Sequence, residues 1–200
     1  MSQANNLQLI DNIISDLSQH RISLQKNAFD ELFIQNISQS FDQQFQQGHF
    51  KPAQIGRLNT QSLNTQIRSD LICWIDQLPE FENQFINPFV SALNQQLFVG
   101  INEYEFHFAQ YQNGAQYELH RDQHSNKQGQ TTERVFTLIL YLNKNWQESD
   151  GGQLEVSDYG VVQPMWNHLV VFDSAQFPHR VLASNFVRRS LTGWLKRRTV

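Results

Sequence analysis

The spacing of hydrophobic positions changes near the middle of this 200-residue chain. In the first half, apolar residues recur at intervals of three and four. Leu7, Leu9, Ile10, Ile13, Ile14 and Leu17 follow Asn5 and Asn6, predicting an amphipathic helix that the asparagines cap. A second helix is expected over about 29–45, through Leu32, Phe33, Ile37 and Phe41, and a third over about 82–97. Phe85, Ile86, Phe89, Val90, Leu93 and Leu97 form the stripe of that third helix. Pro88 cannot donate a backbone hydrogen bond, so this helix either kinks there or begins there. Between the second and third helices, residues 47–66 are rich in Gln, Asn, Thr and Gly and read as a mobile loop.

From Asn102 onward the pattern turns to short alternating runs. Strands are expected over 102–112, 116–121, 133–142, 152–157, 160–163, 168–173, 179–183 and 187–195, punctuated by Gly114, Gly129, Gly151, Gly152 and Gly160. Helices first and strands second predict an α+β fold: a double-stranded β-helix, or jelly roll, with the N-terminal helices packed on one face. A single domain over 1–200 is expected, with 1–100 as helical support and loop and 101–196 as the core. Gly151-Gly152 lacks the Lys-Ser/Thr ending and following helix of a phosphate loop, so a hairpin turn is expected. The glutamines of 39–47 read as the solvated face of a helix.

Composition changes this picture little. Hydrophobic residues make up 40% of the chain, and 15 phenylalanines supply an aromatic-rich core. A net charge of −4 and a pI near 5.9 give no broad field for phosphate backbones, so no nucleic-acid partner is expected. Lys196-Arg197-Arg198 is expected to be a solvated end. The one cysteine, Cys73, excludes an intramolecular disulfide framework and reads as a buried thiol, which points to the cytoplasm. No leader pattern and no apolar run of about 18 residues is present, so neither export nor membrane insertion is expected.

The chemistry concentrates in Tyr111-Gln-Asn-Gly-Ala-Gln-Tyr-Glu-Leu-His120-Arg-Asp122, answered downstream by His179 and Arg188. On an extended strand His120 and Asp122 share one face and Arg121 points away. His179 follows the apolar run Leu169-Val-Val-Phe172 and delivers a third ligand from elsewhere in the fold. Two imidazoles and one carboxylate leave open positions on an octahedral ion, as a non-haem Fe(II) oxygenase requires. Alternation along Arg188-Arg-Ser-Leu-Thr-Gly-Trp194 places Arg188, Ser190, Thr192 and Trp194 on one face and Arg189 on the other. An inward guanidinium suits bidentate capture of a carboxylate, although a shifted register exchanges Arg188 for Arg189.

These residues resemble the 2-oxoglutarate- and Fe(II)-dependent dioxygenases, and within them the prolyl 4-hydroxylase family. The branch most similar contains bacterial homologues of the hypoxia-sensing prolyl hydroxylases. Tyr111, Gly114, Tyr117, His120 and Asp122 carry its Tyr-x-x-Gly-x-x-Tyr-x-x-His-x-Asp motif. The run Ile139-Leu-Tyr-Leu-Asn-Lys-Asn-Trp146 with Gly151-Gly152 is similar to its core strand and turn, and 67–75 resembles its substrate-approaching segment. The resemblance implies Fe(II) on His120, Asp122 and His179. It implies 2-oxoglutarate gripped by Arg188 and Tyr141, with Tyr111 and Thr192 beside it and Trp194 behind. Arg68, Asp70, Trp74 and Arg134 match positions near a bound polypeptide, and the loop over 47–66 matches one that closes on substrate. The implied reaction is 4-hydroxylation of a prolyl residue in a protein or peptide, consuming O₂ and releasing succinate and CO₂, with ascorbate as a supporting reductant.

Competing readings are the same chemistry on a small molecule or free amino acid, and a module that binds iron or 2-oxoglutarate without turnover. A zinc hydrolase fits less well, since no general base is evident beside the His-x-Asp. His20, His49 and His168 sit in no ligand motif, and His124 lies where a strand should already turn. His107 reads chiefly as a structural residue of a strand that could line a cavity.

Overall fold

The structure, a computed structural model, describes residues 3–54, 62–123 and 132–198. Helix α1 (Gln3–His20) leads into strand β1 (Ile22–Gln25) and helix α2 (Glu31–Gln46). Asp30 caps α2, its carboxylate accepting from the Phe33 amide at 2.9 Å. Strands β2 (Lys51–Pro52) and β3 (Leu71–Ile75) precede a third helix, α3, over 79–97. It is built from Pro79–Phe81, a π-helical turn Glu82–Ile86 and Asn87–Leu97. Eight further strands follow: β4 (Glu103–Tyr111), β5 (Tyr117–His120), β6 (Thr132–Tyr141), β7 (Leu154–Val156), β8 (Gly160–Val162), β9 (Leu169–Asp173), β10 (His179–Val181) and β11 (Arg188–Arg198).

The strands form two antiparallel sheets, one ordered β1-β9-β6-β11-β4-β3-β2 and the other β5-β10-β7-β8. One face of the large sheet, through Phe106, Phe108, Phe136, Leu138, Leu140, Leu191 and Leu195, packs on the helices' apolar stripes. Stacked and edge-on contacts among Phe29, Phe33, Phe81, Phe85 and Phe89 fill that layer. The opposite face, through Ala109, Tyr111, Ile139, Tyr141, Val170 and Phe172, packs on Leu154, Val156, Val162 and Val181 of the small sheet. This is the expected α+β jelly roll with helices outside, and its interior is the space between the two sheets.

Several local expectations are corrected. Asn5 and Asn6 do not cap α1, which starts at Gln3; the Asn6 amide instead donates to the Gln84 carbonyl at 3.0 Å, tying α1 to α3. Pro88 stands in the first turn of the α-helical segment Asn87–Leu97, as expected, but the helix does not start afresh there: it runs on from the π-helical turn, where the altered hydrogen-bond pattern absorbs a missing N–H. Strands β1, β2 and β3 were not expected, and all three join edges of the large sheet.

Gly151-Gly152 is not a hairpin turn, because β6 and β7 lie in different sheets. A Cβ on Gly151 would lie 2.4 Å from the Ala183 carbonyl, and one on Gly152 would lie 3.0 Å from Arg188 Cδ. Both glycines also have positive φ, 66° and 71°. The pair exists for close backbone approach. Lys196, Arg197 and Arg198 are strand residues that pair with Glu105, Glu133 and Glu103, and the two arginines are exposed, as a solvated end would be. Of the loop expected over 47–66, β2 occupies part, and 55–61 lie outside the described residues, as do His124 and Gly129.

Candidate metal and cosubstrate centre

The antiparallel pairing of β10 with β5 sets His179 directly opposite His120. Their ring centroids are 4.3 Å apart. Asp122 is not on the strand, as the sequence suggested, but in the bend just past its end. Its Oδ1 lies 3.7 Å from His120 Nε2 and its Oδ2 lies 3.6 Å from His179 Nε2. One ligand atom from each residue falls within 4.8 Å of the others.

Backbone carbonyls fix which ring nitrogens face inward. His120 Nδ1 meets the Glu118 carbonyl at 2.7 Å and His179 Nδ1 meets that of Phe177 at 3.0 Å. A carbonyl only accepts, so each Nδ1 carries the proton and each Nε2 presents a lone pair. Thr137 donates to Asp122 Oδ2 at 2.7 Å and is itself hydrogen-bonded to Ser174 at 2.8 Å, which orients the carboxylate. Burial and the neighbouring His179 hold the His120 imidazole down to about 4, so it stays an unprotonated ligand at neutral pH. Burial opposes ionisation of Asp122, but the two imidazoles, Arg134 and Thr137 outweigh it and keep the carboxyl well below its usual range.

Across the cavity, β11 runs between β6 and β4. Arg188 is paired in register with Tyr111, Ser190 with Ala109 and Tyr141, and Thr192 with His107 and Ile139. Arg188 is 3% exposed, yet among the described residues no carboxylate lies within ion-pair distance of it. Its Nε donates to the Gly152 carbonyl at 2.8 Å, and the guanidinium sits 4.8 Å from the Tyr111 ring centroid and 5.0 Å from that of Tyr141. The Tyr141 hydroxyl is fully buried near that cation without a hydrogen bond of normal geometry among the described residues. Burial pushes the hydroxyls of both tyrosines up, so they remain protonated donors. A buried guanidinium without an anion, beside an unpartnered phenol, is incomplete without a carboxylate ligand. Arg189 takes the other face, pairing with Asp42 at 2.9 Å, and Arg121 is exposed.

Of the remaining expected residues, Arg68 and Asp70 lie near Tyr111, while Trp74, Arg134 and Trp194 gather towards the other end of β4 and β11. Arg68 makes a bidentate pair with the fully buried Asp70, at 2.7 and 2.9 Å, and lies 4.6 Å from the Tyr117 ring centroid. Tyr117 in turn stacks on His120 at 3.6 Å. The Arg134 guanidinium lies 3.4 Å from the Trp194 ring centroid and is held by Glu105 at 3.0 Å. Trp194 lies 6.1 Å from Trp74, which is 52% exposed. Arg188, Tyr111, Thr192, Trp194, Arg68 and the three ligand residues all line one cavity, with Ile139, Leu154 and Val181 as its apolar wall.

Sequence reasoning passed over Thr137, which was accessible by counting back in twos from Tyr141 through Ile139. The contact of the Gly152 carbonyl with Arg188 was not readable either, because the two are 36 residues apart, whereas His107 lines the cavity as the sequence allowed.

Residues 106–196 match the family model described as the 2OG-Fe(II) oxygenase superfamily. A Pseudomonas putida prolyl-4-hydroxylase is 33% identical over 96% of this chain and 100% of its own, with a TM-score of 0.82. The chain belongs to the prolyl 4-hydroxylase family of 2-oxoglutarate- and Fe(II)-dependent oxygenases. A Trichoplax adhaerens prolyl hydroxylase, crystallised with a hypoxia-inducible-factor oxygen degradation domain peptide fragment, is 25% identical over 96% of this chain and 90% of its own, with a TM-score of 0.81. A Phytophthora capsici prolyl 4-hydroxylase shares the fold at 20% identity and a TM-score of 0.76, covering 97% of this chain and 65% of its own.

This prolyl 4-hydroxylase family member is a 2-oxoglutarate-dependent dioxygenase that uses Fe(II). Its donor set fits the metal: two imidazoles, each turned with Nε2 inward, and one carboxylate occupy one side and leave the other open. No helix among the described residues is long and apolar enough to cross a membrane.

Proposed function

We propose that the enzyme hydroxylates a prolyl residue of a protein or peptide at C4. The observation that carries this reading is the placement, on facing sheets of one cavity, of a His-Asp-His triad and a buried Arg188 that meets no carboxylate among the described residues. The similarity to the Pseudomonas putida prolyl-4-hydroxylase supports the substrate class.

In this reading His120 Nε2, an Asp122 oxygen and His179 Nε2 hold Fe(II). Arg188 and Tyr141 bind the distal carboxylate of 2-oxoglutarate with Tyr111 beside it, and Thr192 lies beside the cosubstrate farther along β11. Bound there, Fe(II) and 2-oxoglutarate supply the oxidising chemistry, by which one oxygen atom of O₂ enters the substrate and the other enters succinate. Ile139, Leu154 and Val181 keep water from the middle of the cavity, so that the charged ends of the site act in a low-dielectric medium.

At the mouth, Trp74 offers an exposed apolar surface, and Trp194 and Arg134 form a rigid stacked wall for the target residue. The Arg68–Asp70 pair fixes the segment leading into β3. The Trichoplax adhaerens relative, with its bound peptide fragment, supports an extended polypeptide at this mouth.

The test is to incubate the protein with Fe(II), 2-oxoglutarate, ascorbate and a panel of prolyl peptides. A peptide heavier by one oxygen atom, formed together with succinate, is the expected result. Hydroxylation of a free amino acid or small molecule with no peptide turned over would overturn the reading.

A further inference from the structure

His107 is a buried imidazole with no role in the account so far. It lies on β4, in register with Trp74 on β3 and Thr192 on β11, and it lines the same cavity as the metal ligands. Its ring is held between two indoles, 5.0 Å from Trp74 and 5.1 Å from Trp194, nearly parallel to the latter at 27°. The residue is 1% exposed, and among the described residues neither ring nitrogen makes a hydrogen bond. Native structures rarely leave a buried polar side chain unpartnered, so each such group calls for an explanation, and beside a binding cavity a ligand supplies one. The neighbouring Trp194 Nε1 is unpartnered in the same way.

The placement selects which ligand this is. Arg188, the cosubstrate anchor, is in register with Tyr111, four residues onward along β4 and about 13 Å of extended strand away. His107 instead shares its layer with Trp74, the half-open indole at the mouth, and with Trp194 and its Arg134 lid. That end of the cavity meets the polypeptide. Proline has no backbone N–H, so the chain around a target prolyl residue presents carbonyl acceptors and must be read by donors. Burial, Arg68 and Arg134 keep the imidazole neutral, which leaves it one N–H donor.

We propose that His107 is a substrate-positioning residue, whose ring N–H donates to a backbone carbonyl adjoining the target proline, while the two indoles lock the ring in place. The inference rests on the prolyl-peptide reading above. It adds to that reading a specific polar contact that sets the peptide's register over the metal.

The experiment compares wild type with His107→Phe, which keeps the stacking and removes the donor, and His107→Gln, which restores a donor. The probe is the prolyl peptide that wild type turns over fastest from an X-Pro-Y heptapeptide panel. Its Kd is read from tryptophan fluorescence on the Mn(II)–2-oxoglutarate enzyme, which does not turn over, and its KM from succinate release. Loss of one neutral hydrogen bond predicts a rise of roughly tenfold in peptide Kd and KM for His107→Phe, with substantial recovery in His107→Gln. The 2-oxoglutarate Kd, from the anaerobic Fe(II) charge-transfer absorption, should move less than about twofold.

An unchanged peptide Kd in His107→Phe overturns the inference, as does a loss of 2-oxoglutarate affinity equal to that for peptide. If His107→Phe does not fold, His107→Gln decides alone: peptide Kd equal to wild type supports the donor role, and a tenfold loss refutes it. A wild-type enzyme that turns over no prolyl peptide overturns both this inference and the reading beneath it, whereas wild-type turnover with an indifferent His107→Phe sinks this inference only.

Discussion

Replacing Arg188 with methionine should stabilise the ligand-free protein and cripple cosubstrate binding. The side chain is 3% exposed and, among the described residues, faces no carboxylate. It has only the Gly152 carbonyl at 2.8 Å, Ser190 Oγ at 3.4 Å and the faces of Tyr111 and Tyr141. Burying an ion costs several kcal/mol, while a hydrogen bond and ring contacts of this kind return about 1 kcal/mol each. Methionine fills similar volume without the charge, so Arg188→Met is expected to gain about 1 kcal/mol without ligand. For a chain of this size that raises Tm by about 2–4 °C. On the binding side, removing one partner of a buried, hydrogen-bonded charge pair costs about 2–5 kcal/mol, or roughly 30-fold to several-thousandfold in Kd.

Anaerobic thermal melts of the Fe(II) protein measure both effects. Cosubstrate at about 100 times the wild-type Kd should add about 2.7 kcal/mol to wild type. The same concentration should add much less to the variant. A ligand-free variant melting several degrees below wild type, with an undiminished 2-oxoglutarate shift, would refute the argument that this cation awaits an anion.

Three other outcomes are expected. Because His120 has its folded-state pKa lowered from 6.5 to about 4, its contribution to metal-free stability is full above about 6.5 and is lost as pH falls towards 4. Denaturant melts should therefore lose on the order of 2–3 kcal/mol across that window, and the loss should shrink in His120→Gln; an equal slope in both would place the effect elsewhere. Gly152→Ala adds a Cβ 2.9 Å from Ser184 Oγ and 3.0 Å from Arg188 Cδ at a φ of +71°. It should destabilise by about 1–3 kcal/mol and weaken 2-oxoglutarate binding by moving the guanidinium, and calorimetry at wild-type affinity would contradict this. Arg189→Gln breaks a partly exposed pair with Asp42 and a contact with the Phe41 ring, so stability should change by about 1 kcal/mol or less, with 2-oxoglutarate affinity, measured by the same calorimetry, at the wild-type value.

The metal half of the site was legible because its chemistry is packed into twelve residues, Tyr111 to Asp122, and because His179 and Arg188 follow as the first residues of β10 and β11. What the residues alone could not supply was the register that makes His179 the direct neighbour of His120, a long-range pairing between β10 and β5. The choice between Arg188 and Arg189 was blurred for a related reason. A strand in the middle of a sheet covered on both faces is apolar on both sides, and most of β11 is buried regardless of parity. His107 was under-read likewise, since β4 is continuously buried from Phe106 to Tyr111.

The helices were legible from their period, but their ends were not. Asn5 and Asn6 have good capping chemistry that tertiary contact overrides, and a π-helical turn makes Pro88 harmless in mid-helix. Strands β1 and β2 escaped notice because two- and four-residue edge strands carry too little alternation to register.

The position of β11 couples assembly to catalysis. It is the last of the strands along the sequence, yet it lies in the middle of the large sheet, with β1-β9-β6 on one side and β4-β3-β2 on the other. A chain cut before Arg188 would be left as two three-stranded fragments, each with a raw edge that invites self-association. The same strand carries Arg188, the proposed anchor of the keto-diacid, and Trp194, part of the proposed substrate mouth. No half-built intermediate can therefore consume 2-oxoglutarate idly, and the onset of activity during refolding should coincide with closure of the sheet.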